Sequence, residues 1–428
     1  MATIILSSGK CRWGKCVFCG WGKLVADRDE NRVKRDFLRK LSNIKGEDTL
    51  SIFASGSFLD DLQFSPELRK WIVEKLKEKG FKNLTIESRP EFITKEKLEE
   101  FKGLNLTVAI GLEVADDEVL KKLKKGITLK DFERAAKIIH DSGAKLRVYL
   151  LVNPPFVDDP KESFRKSVEY AKKFADSIVA INCYPHSKSE LFDMWVRGEW
   201  RPLDEEEFKE VTKGYDVELD FSNYNFIPKF PKDKQERIVG VSKDTLLHPY
   251  YEVWQDYFQR FYKVPKGKRF ALFLPCSYIK PYRRSPTHRA ILRKLLKLPT
   301  YKQIHQIMIS SPGVIPREFE NYYPFNSYEW NEKDETEEIK KLYIDVNKER
   351  IKKYLRRHKY EKVFSYLKPD SESYKALKEA CDELGINLIN LVDEEKYSEL
   401  KDRIKARILT HESLLESMYN KLLEETKS

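Results

Sequence analysis

Short apolar runs and amphipathic stretches alternate along the first half of the chain. "TIIL" stands near the start, and "TLSIFASGS" (49–57), "NLTIESRP" (83–90), "LTVAIGLEV" (106–114), "KLRVYLLVNPP" (145–155) and "SIVAINCYP" (177–185) follow. Short, β-rich and bounded by turn residues, they predict six strands. "SPELRKWIVEKLKEKG" (65–80), with a Ser N-cap and a closing Gly, predicts a helix between two of them. "TKEKLEEFKG", stretches across 116–142, and "KESFRKSVEYAKKFA" predict others. Near-continuous apolar strands separated by helices imply a parallel sheet covered on both faces. Six βα units suit a partial barrel or an open doubly wound sheet, and both gather chemistry at the C-terminal strand ends. "SGS", "ESR", "GLE", "NPP" and "NCYP" all stand at such ends.

The pattern changes after residue 213. Residues 214–246, with "DFSNYNFIPKFPKDKQ", predict a linker of little regular structure. A second α/β domain is expected over 247–393, with strands at "RFALFLPCS" (269–277), "IHQIMISSPG" (304–313), "KVFSYL" and "INLINLV". Its helices are expected at "HRAILRKLLKL", around 334–342, near 346–357 and at "SYKALKEACDELG". A charged helical segment, 394–428, follows. The expected organisation is thus 1–213, a linker, 247–393 and a tail. A length of 428 residues agrees with two or three domains.

Hydrophobic residues make up 41%, enough for real cores, and charged residues make up 35%, a thermophile-like balance. The net charge of +11 favours polyanionic partners such as RNA. "KRDFLRK", "KKLKK" and "RIKKYLRRHKY" are either phosphate contacts or solvated helix faces. Six cysteines are too few for a disulfide framework, no apolar run is long enough for a membrane helix, and "MATIIL" reads as a strand. A cytoplasmic protein is expected.

Three of those cysteines stand in "GKCRWGKCVFCGWG" (9–22), as Cys11-x4-Cys16-x2-Cys19. Clustered thiolates suit zinc or an iron–sulfur cluster. Structural zinc needs a fourth ligand, for which only distant residues such as His140 or Cys183 are available. A [4Fe–4S] cluster on three thiolates leaves one iron open. In this the sequence resembles the radical S-adenosylmethionine (SAM) superfamily, with the cysteines after the first strand and the aromatic Phe18 before the last of them. The resemblance implies a partial (βα)6 barrel in which Cys11, Cys16 and Cys19 hold the cluster and the open iron chelates S-adenosylmethionine. Ser55, Gly56 and Ser57 would face its methionine amino group, although the Glu usual in that turn is missing. Glu87, Arg89 and Glu113 would contact its carboxylate or ribose, unless they are ordinary loop ion pairs.

"SGSFLDD", "IESRPEFI", "VAIGLEVADD", "KKGITLKDFERAA", "YLLVNPPF" and "WVRGEWRP" are together similar to the radical enzyme family of archaeosine synthesis (RaSEA), over about residues 1–200. That resemblance implies tRNA as substrate and cleavage of a C–N bond in a lysine adduct of 7-cyano-7-deazaguanine. Arg147, Tyr149, Asn153 and Asn182 are the candidates for holding the lysine moiety.

"PCSYIKPYRRSPTH" (275–288) is the second dense motif. A Cys near a His reads as nucleophile and base, or as a buried strand Cys before a basic loop. With "SSPGVIPREFENYYP" (310–324) it resembles the catalytic core of archaeosine synthase, the lysine transferase of the same pathway. The resemblance implies Cys276, Lys280, Tyr282, Ser285 and His288 as catalytic residues and free lysine as co-substrate. The RNA-binding PUA module of longer members is not visible, so a partner protein supplying the grip on tRNA is expected, besides an electron donor. The rivals are another radical SAM enzyme acting on RNA and a non-catalytic, zinc-bearing tRNA-binding adaptor.

Overall fold

The computed structural model describes residues 2–23, 29–221, 227–404 and 406–427. The chain divides into two compact units, 1–226 and 227–428.

The first unit is one parallel sheet wrapped by helices. Its strands are β1 (Ala2–Leu6), β2 (Thr49–Ala54), β3 (Asn83–Glu87), β4 (Asn105–Glu113), β5 (Lys145–Val152), β6 (Ser177–Asn182) and β7 (Glu218–Asp220), paired in sequence order. All neighbours are parallel. Because β1 and β7 do not pair with each other, the sheet is an open half-barrel. The α/β expectation holds, with a seventh strand added. β7 is three residues of Glu-Leu-Asp at an edge, inside the 214–246 stretch expected to be a linker. Such a polar triplet carries no apolar signal, and its pairing with β6 alone makes it a strand. Residues 222–226 of that stretch lie outside the described residues.

Strand alternation sorts the residues onto two faces. On β5, Leu146, Val148 and Leu150 are fully buried in the core under the helices. Arg147, Tyr149 and Leu151 alternate onto the concave face, and Asn153 follows the strand in a left-handed conformation with φ +63°. The covering helices start where the sequence provides caps: Ser65 accepts from the Leu68 amide, and Thr128 with Asp131 forms a capping box.

The second unit is built on β8 (Phe270–Leu274), β9 (Ile304–Ser310), β10 (Gly313–Pro316), β11 (Lys362–Ser365) and β12 (Leu388–Asn390), in the order β10-β9-β8-β11-β12. Only β10 is antiparallel. The run "IHQIMISSPG" was expected as one strand, but the chain turns at Ser311-Pro312 into the β9–β10 hairpin. Pro312 has no amide to continue a ladder. The helices expected around 334–342 and 346–357 are a single helix, Glu337–Arg357. Tyr343, Asn347, Arg350, Ile351 and Tyr354 form one continuous buried stripe along it, and no Gly or Pro interrupts it. Residues 394–401 and 412–425 are helical. Among the described residues, no helix is long and apolar enough to cross a membrane.

Candidate functional site

The three-cysteine loop lies at the C-terminal rim of the half-barrel and is pinned on several sides. Arg12 pairs with Asp60, a fully buried carboxylate beyond β2. Trp13 donates its indole N–H to the Lys124 carbonyl at 2.7 Å and covers Arg89, whose guanidinium lies 5.2 Å from the ring centre. The Val17 amide donates to the Leu123 carbonyl, and the Val17 carbonyl accepts from the Leu191 amide, both at 3.0 Å. Trp21 packs on His186, and its carbonyl accepts from the Ser55 hydroxyl at 2.9 Å.

The turn Ser55-Gly56-Ser57 closes around Gln63. Gln63 accepts from the Ser57 amide at 2.9 Å and donates to the Ser55 carbonyl at 2.7 Å. Gly56 is required: its φ is +124°, and a Cβ there would stand 2.2 Å from the Gln63 Oε1. Ser57 is buried and accepts from the Arg89 amide at 3.0 Å. Arg89 is itself engaged by Glu91 at 2.5 Å and the Gly126 carbonyl at 3.3 Å.

Glu113 ends β4 at a bulge in the β4–β5 register, in the left-handed region with φ +71°. The bulge aims its carboxylate at Lys125, 2.7 Å away, and both residues are buried. The pair lies beside Gly111, where a Cβ would meet both partners. Lys125 also faces Cys16 and draws its thiol down, but burial outweighs this and pushes Cys16 up to about 11. Burial raises Cys19 too, against the opposing amides of Gly22 and Trp21. The sequence reading did not name Lys125 as a site residue; it stood only inside the basic run "KKLKK" and the motif "KKGITLKDFERAA". Lys124 of that run pairs with Glu190, and in "RIKKYLRRHKY" Arg350 is buried against Glu252 and the Ser311 and Leu246 carbonyls.

A polar column lines the concave face. Glu87, Tyr149 and Arg147 stand next to one another there, each acting on the ionisation of its neighbour, and Arg147 pairs with Glu218 of β7. Glu87 of β3 reaches Tyr149 of β5 across Ala109 and Gly111 of β4, the registered positions between them and small enough to leave room. Burial pushes the Glu87 carboxyl up to about 7, opposed by the Tyr149 hydroxyl and the Ala54 amide. Burial and the Glu87 charge raise Tyr149. Asn153 and Asn182 are used differently: their amides hold the Arg201 and Leu203 carbonyls at 2.9 and 3.1 Å. The Asn182 Oδ1 is buried without a hydrogen-bond partner.

In the second unit, strand order reverses beside β8, since β9 lies on one side and β11 on the other. That geometry opens a crevice beyond the carboxyl ends of β8 and β11. A cavity of about 600 Å³ occupies it, lined by Cys276, Lys280, Ser310, Tyr328, Trp330 and Glu332 among others. The Cys276 thiol points to Glu332 Oε1 at 3.5 Å. The Lys280 ammonium sits 3.8 Å from the Tyr328 ring centre, and burial lowers its pKa. Tyr282 is buried behind Tyr328, the two hydroxyls 2.6 Å apart. Ser285 caps the helix Pro286–Leu295 by accepting from the His288 amide. His288 is fully buried, with Nδ1 accepting from Arg317 at 2.9 Å and Nε2 donating to the Pro275 carbonyl at 2.9 Å. Burial, then the Arg317 charge, lower it to about 3. Of the five sequence candidates, the cavity wall contains Cys276 and Lys280. Glu332 was not among the candidates, since it lies 56 residues from Cys276 in an acidic stretch with no motif.

Residues 5–171 match the model of the radical SAM superfamily. The half-barrel is a radical SAM domain. Residues 252–405 match a domain of unknown function, DUF5591. Archaeosine synthase subunit beta of Thermococcus kodakarensis is 37% identical over 185 residues, 40% of this chain and 55% of that protein. The subunit beta of Methanosarcina acetivorans is 31% identical over 218 residues, 47% of this chain and 62% of that protein. Archaeosine synthase subunit alpha of Thermoplasma acidophilum is 30% identical over 159 residues, 35% of this chain and 29% of that protein. The chain spans 55–62% of the length of the subunit beta proteins it matches.

The match of residues 5–171 to the radical SAM superfamily implies a [4Fe–4S] cluster and S-adenosylmethionine. Among the described residues, no three Cys, His, Asp or Glu side chains are drawn up around one point, and all six cysteines are free thiols. The donor chemistry nevertheless fits: the loop offers three soft sulfur ligands, with the Lys125 cation beside Cys16. His140 does not fit as a fourth ligand. It stands in the last turn of the helix Leu129–Asp141, which leads into the N-terminal end of β5, and pairs with Asp176 at 3.3 Å, at the far end of the sheet from the cysteine loop.

Proposed function

We propose that the radical SAM domain cleaves the C–N bond of a lysine adduct of 7-cyano-7-deazaguanine in tRNA, leaving the amidine of archaeosine, and that the second unit adds lysine to the nitrile. The observation that carries the reading is the Glu87–Tyr149–Arg147–Glu218 column on the concave face of the radical SAM domain. A lysine head carries a carboxylate and an amine, and this column offers it a cation and carboxylates. The net charge of +11 and the relation to archaeosine synthase subunits support tRNA as substrate.

In this reading Cys11, Cys16 and Cys19 hold the cluster. Ser55, Gly56, Ser57, Glu87, Arg89 and Glu113 line the space for S-adenosylmethionine. When bound and reduced by an external electron donor, these groups supply a carbon radical able to abstract hydrogen from an unactivated C–H bond. The protein positions the substrate and keeps water out. Arg147 faces the lysine carboxylate, and Glu87, whose pKa burial raises to about 7, can take up or release a proton near neutral pH. Asn153 and Asn182 keep the 200–203 segment folded over the rim.

The test is incubation of the reduced full chain with tRNA carrying the cyano base, lysine and S-adenosylmethionine, with mass spectrometry of the base. Archaeosine is expected, and the lysine adduct should accumulate when Cys11, Cys16 and Cys19 are replaced together by Ala. Unchanged archaeosine in that triple variant overturns the radical assignment. A different modified base points to another radical SAM reaction on RNA. Colourless, zinc-loaded protein from anaerobic purification points to the adaptor.

A further inference from the structure

The Cys276 cavity contains an acid–base pair that the motif does not spell. A thiol adds to an electrophilic carbon only as it loses its proton, and Cys276 lies where burial and the Glu332 carboxylate push it up to about 12. Its attack therefore needs a proton acceptor at the sulfur. His288 cannot serve, because both of its ring nitrogens are engaged, by Arg317 and by the Pro275 carbonyl. The group that meets the thiol is Glu332, at 3.5 Å. Glu332 opens the short turn Glu332–Asp334, which is fixed by Asn331: its oxygen accepts from the Lys333 amide and its nitrogen donates to Asp334 at 2.9 Å. The Lys280 ammonium, on the same cavity wall, is the complementary proton donor, and its burial eases proton release. Trp330, Tyr328 and Tyr343 add flat walls, and a volume of about 600 Å³ admits a bicyclic heterocycle.

We infer that Glu332 is the proton acceptor of Cys276 in covalent attack on a heteroaromatic nitrile, with Lys280 protonating the nitrile nitrogen. This rests on the lysine-addition reading of the second unit. In the first step the S–H bond breaks and an S–C bond forms. The thiol proton passes to Glu332 and a proton from Lys280 to nitrogen, giving a thioimidate. In the second, the amine of lysine attacks that carbon and gives its proton to Lys280. The C–S bond breaks, and Glu332 returns its proton to the departing sulfur. Nothing is oxidised or reduced, and the product is an N-substituted amidine.

Two measurements on the full chain test the pair. The first is the pH profile of iodoacetamide alkylation at Cys276, read on its own peptide by mass spectrometry. Glu332→Gln removes a carboxylate beside the thiol, so the profile should move to lower pH. The second is incubation with free 7-cyano-7-deazaguanine, which should add its whole mass to wild-type protein and nothing to Cys276→Ser. Adduct formation in Glu332→Gln should be slower by about 100-fold or more, the usual worth of a general base. Easier alkylation with slower nitrile addition is a combination that mere structural damage does not produce. An unmoved alkylation profile overturns the role of Glu332. A moved profile with no adduct in wild-type protein overturns the nitrile as substrate, and with it lysine addition here, leaving the radical reading intact.

Discussion

Gly126→Ala tests how the radical SAM domain holds its cysteine loop. Gly126 has φ +70°, and a Cβ there would stand 2.2 Å from the Trp13 ring. Two costs follow. The left-handed conformation costs a non-glycine residue about 1–2 kcal/mol. The ring must also leave, losing its 2.7 Å bond to the Lys124 carbonyl, worth about 1 kcal/mol, and its cover of Arg89, worth about 0.5–1 kcal/mol. The sum is about 2.5–4 kcal/mol. Gly80→Ala is the matched control: its φ is +87° and nothing lies within 4 Å of the added atom, so only the conformational cost of about 1–2 kcal/mol remains. Urea unfolding of the two variants should differ by about 2 kcal/mol, the share of Trp13. Because Trp13 lies between Cys11 and Cys16, iron retained after anaerobic reconstitution should fall in Gly126→Ala and stay at wild-type level in Gly80→Ala. Equal destabilisation and equal iron in the two would refute the anchoring of the loop through Trp13.

Three further expectations concern the same unit. Glu87 has its pKa raised to about 7, so the folded chain keeps a proton that the unfolded chain releases near 4.5. Stability should therefore fall as pH rises from about 4.5 to 7, and Glu87→Gln should flatten that part of the urea midpoint profile; superimposable profiles would exclude the shift. Arg69 is fully buried and binds Glu100 at 2.6 and 2.7 Å, Asp61 at 2.8 Å and the Phe64 carbonyl at 2.7 Å. Arg69→Met removes these bonds, while Asp61 keeps Lys97 at 3.0 Å and both carboxylates retain contact with solvent; the loss in urea unfolding should be about 1–3 kcal/mol, and no measurable loss would mean the pairs contribute little. Arg147→Met should raise KM for the lysine-bearing tRNA while iron content stays unchanged, and an unaltered KM would remove Arg147 from the substrate site.

The strands were legible because apolar and β-branched residues recur in short runs bounded by turn residues, as in "LTVAIGLEV" and "KLRVYLLV". β7 was not, since Glu-Leu-Asp is a strand only by virtue of its neighbour β6. The helix Glu337–Arg357 read as two pieces because polar residues interrupt its apolar stripe, and the tertiary contacts of Asn347 and Arg350 bury them within it. At the candidate sites the sequence located the loops but not the partners. Lys125 looked like one lysine of a solvated run until the β4 bulge brought Glu113 to it. His288 looked like a base until Arg317 and the Pro275 carbonyl filled both of its nitrogens.

By itself, then, the sequence determined the α/β class, the strand-end placement of the polar motifs and the three-cysteine loop, because these depend on local periodicity and spacing. Only the tertiary structure decided which groups face one another. The approach of Tyr149 to Glu87 spans 62 residues and crosses two small positions of β4, and the Cys276–Glu332 contact spans 56. The energy of such contacts comes from burial and charge at close range, which the folded backbone sets and which no spacing along the chain encodes.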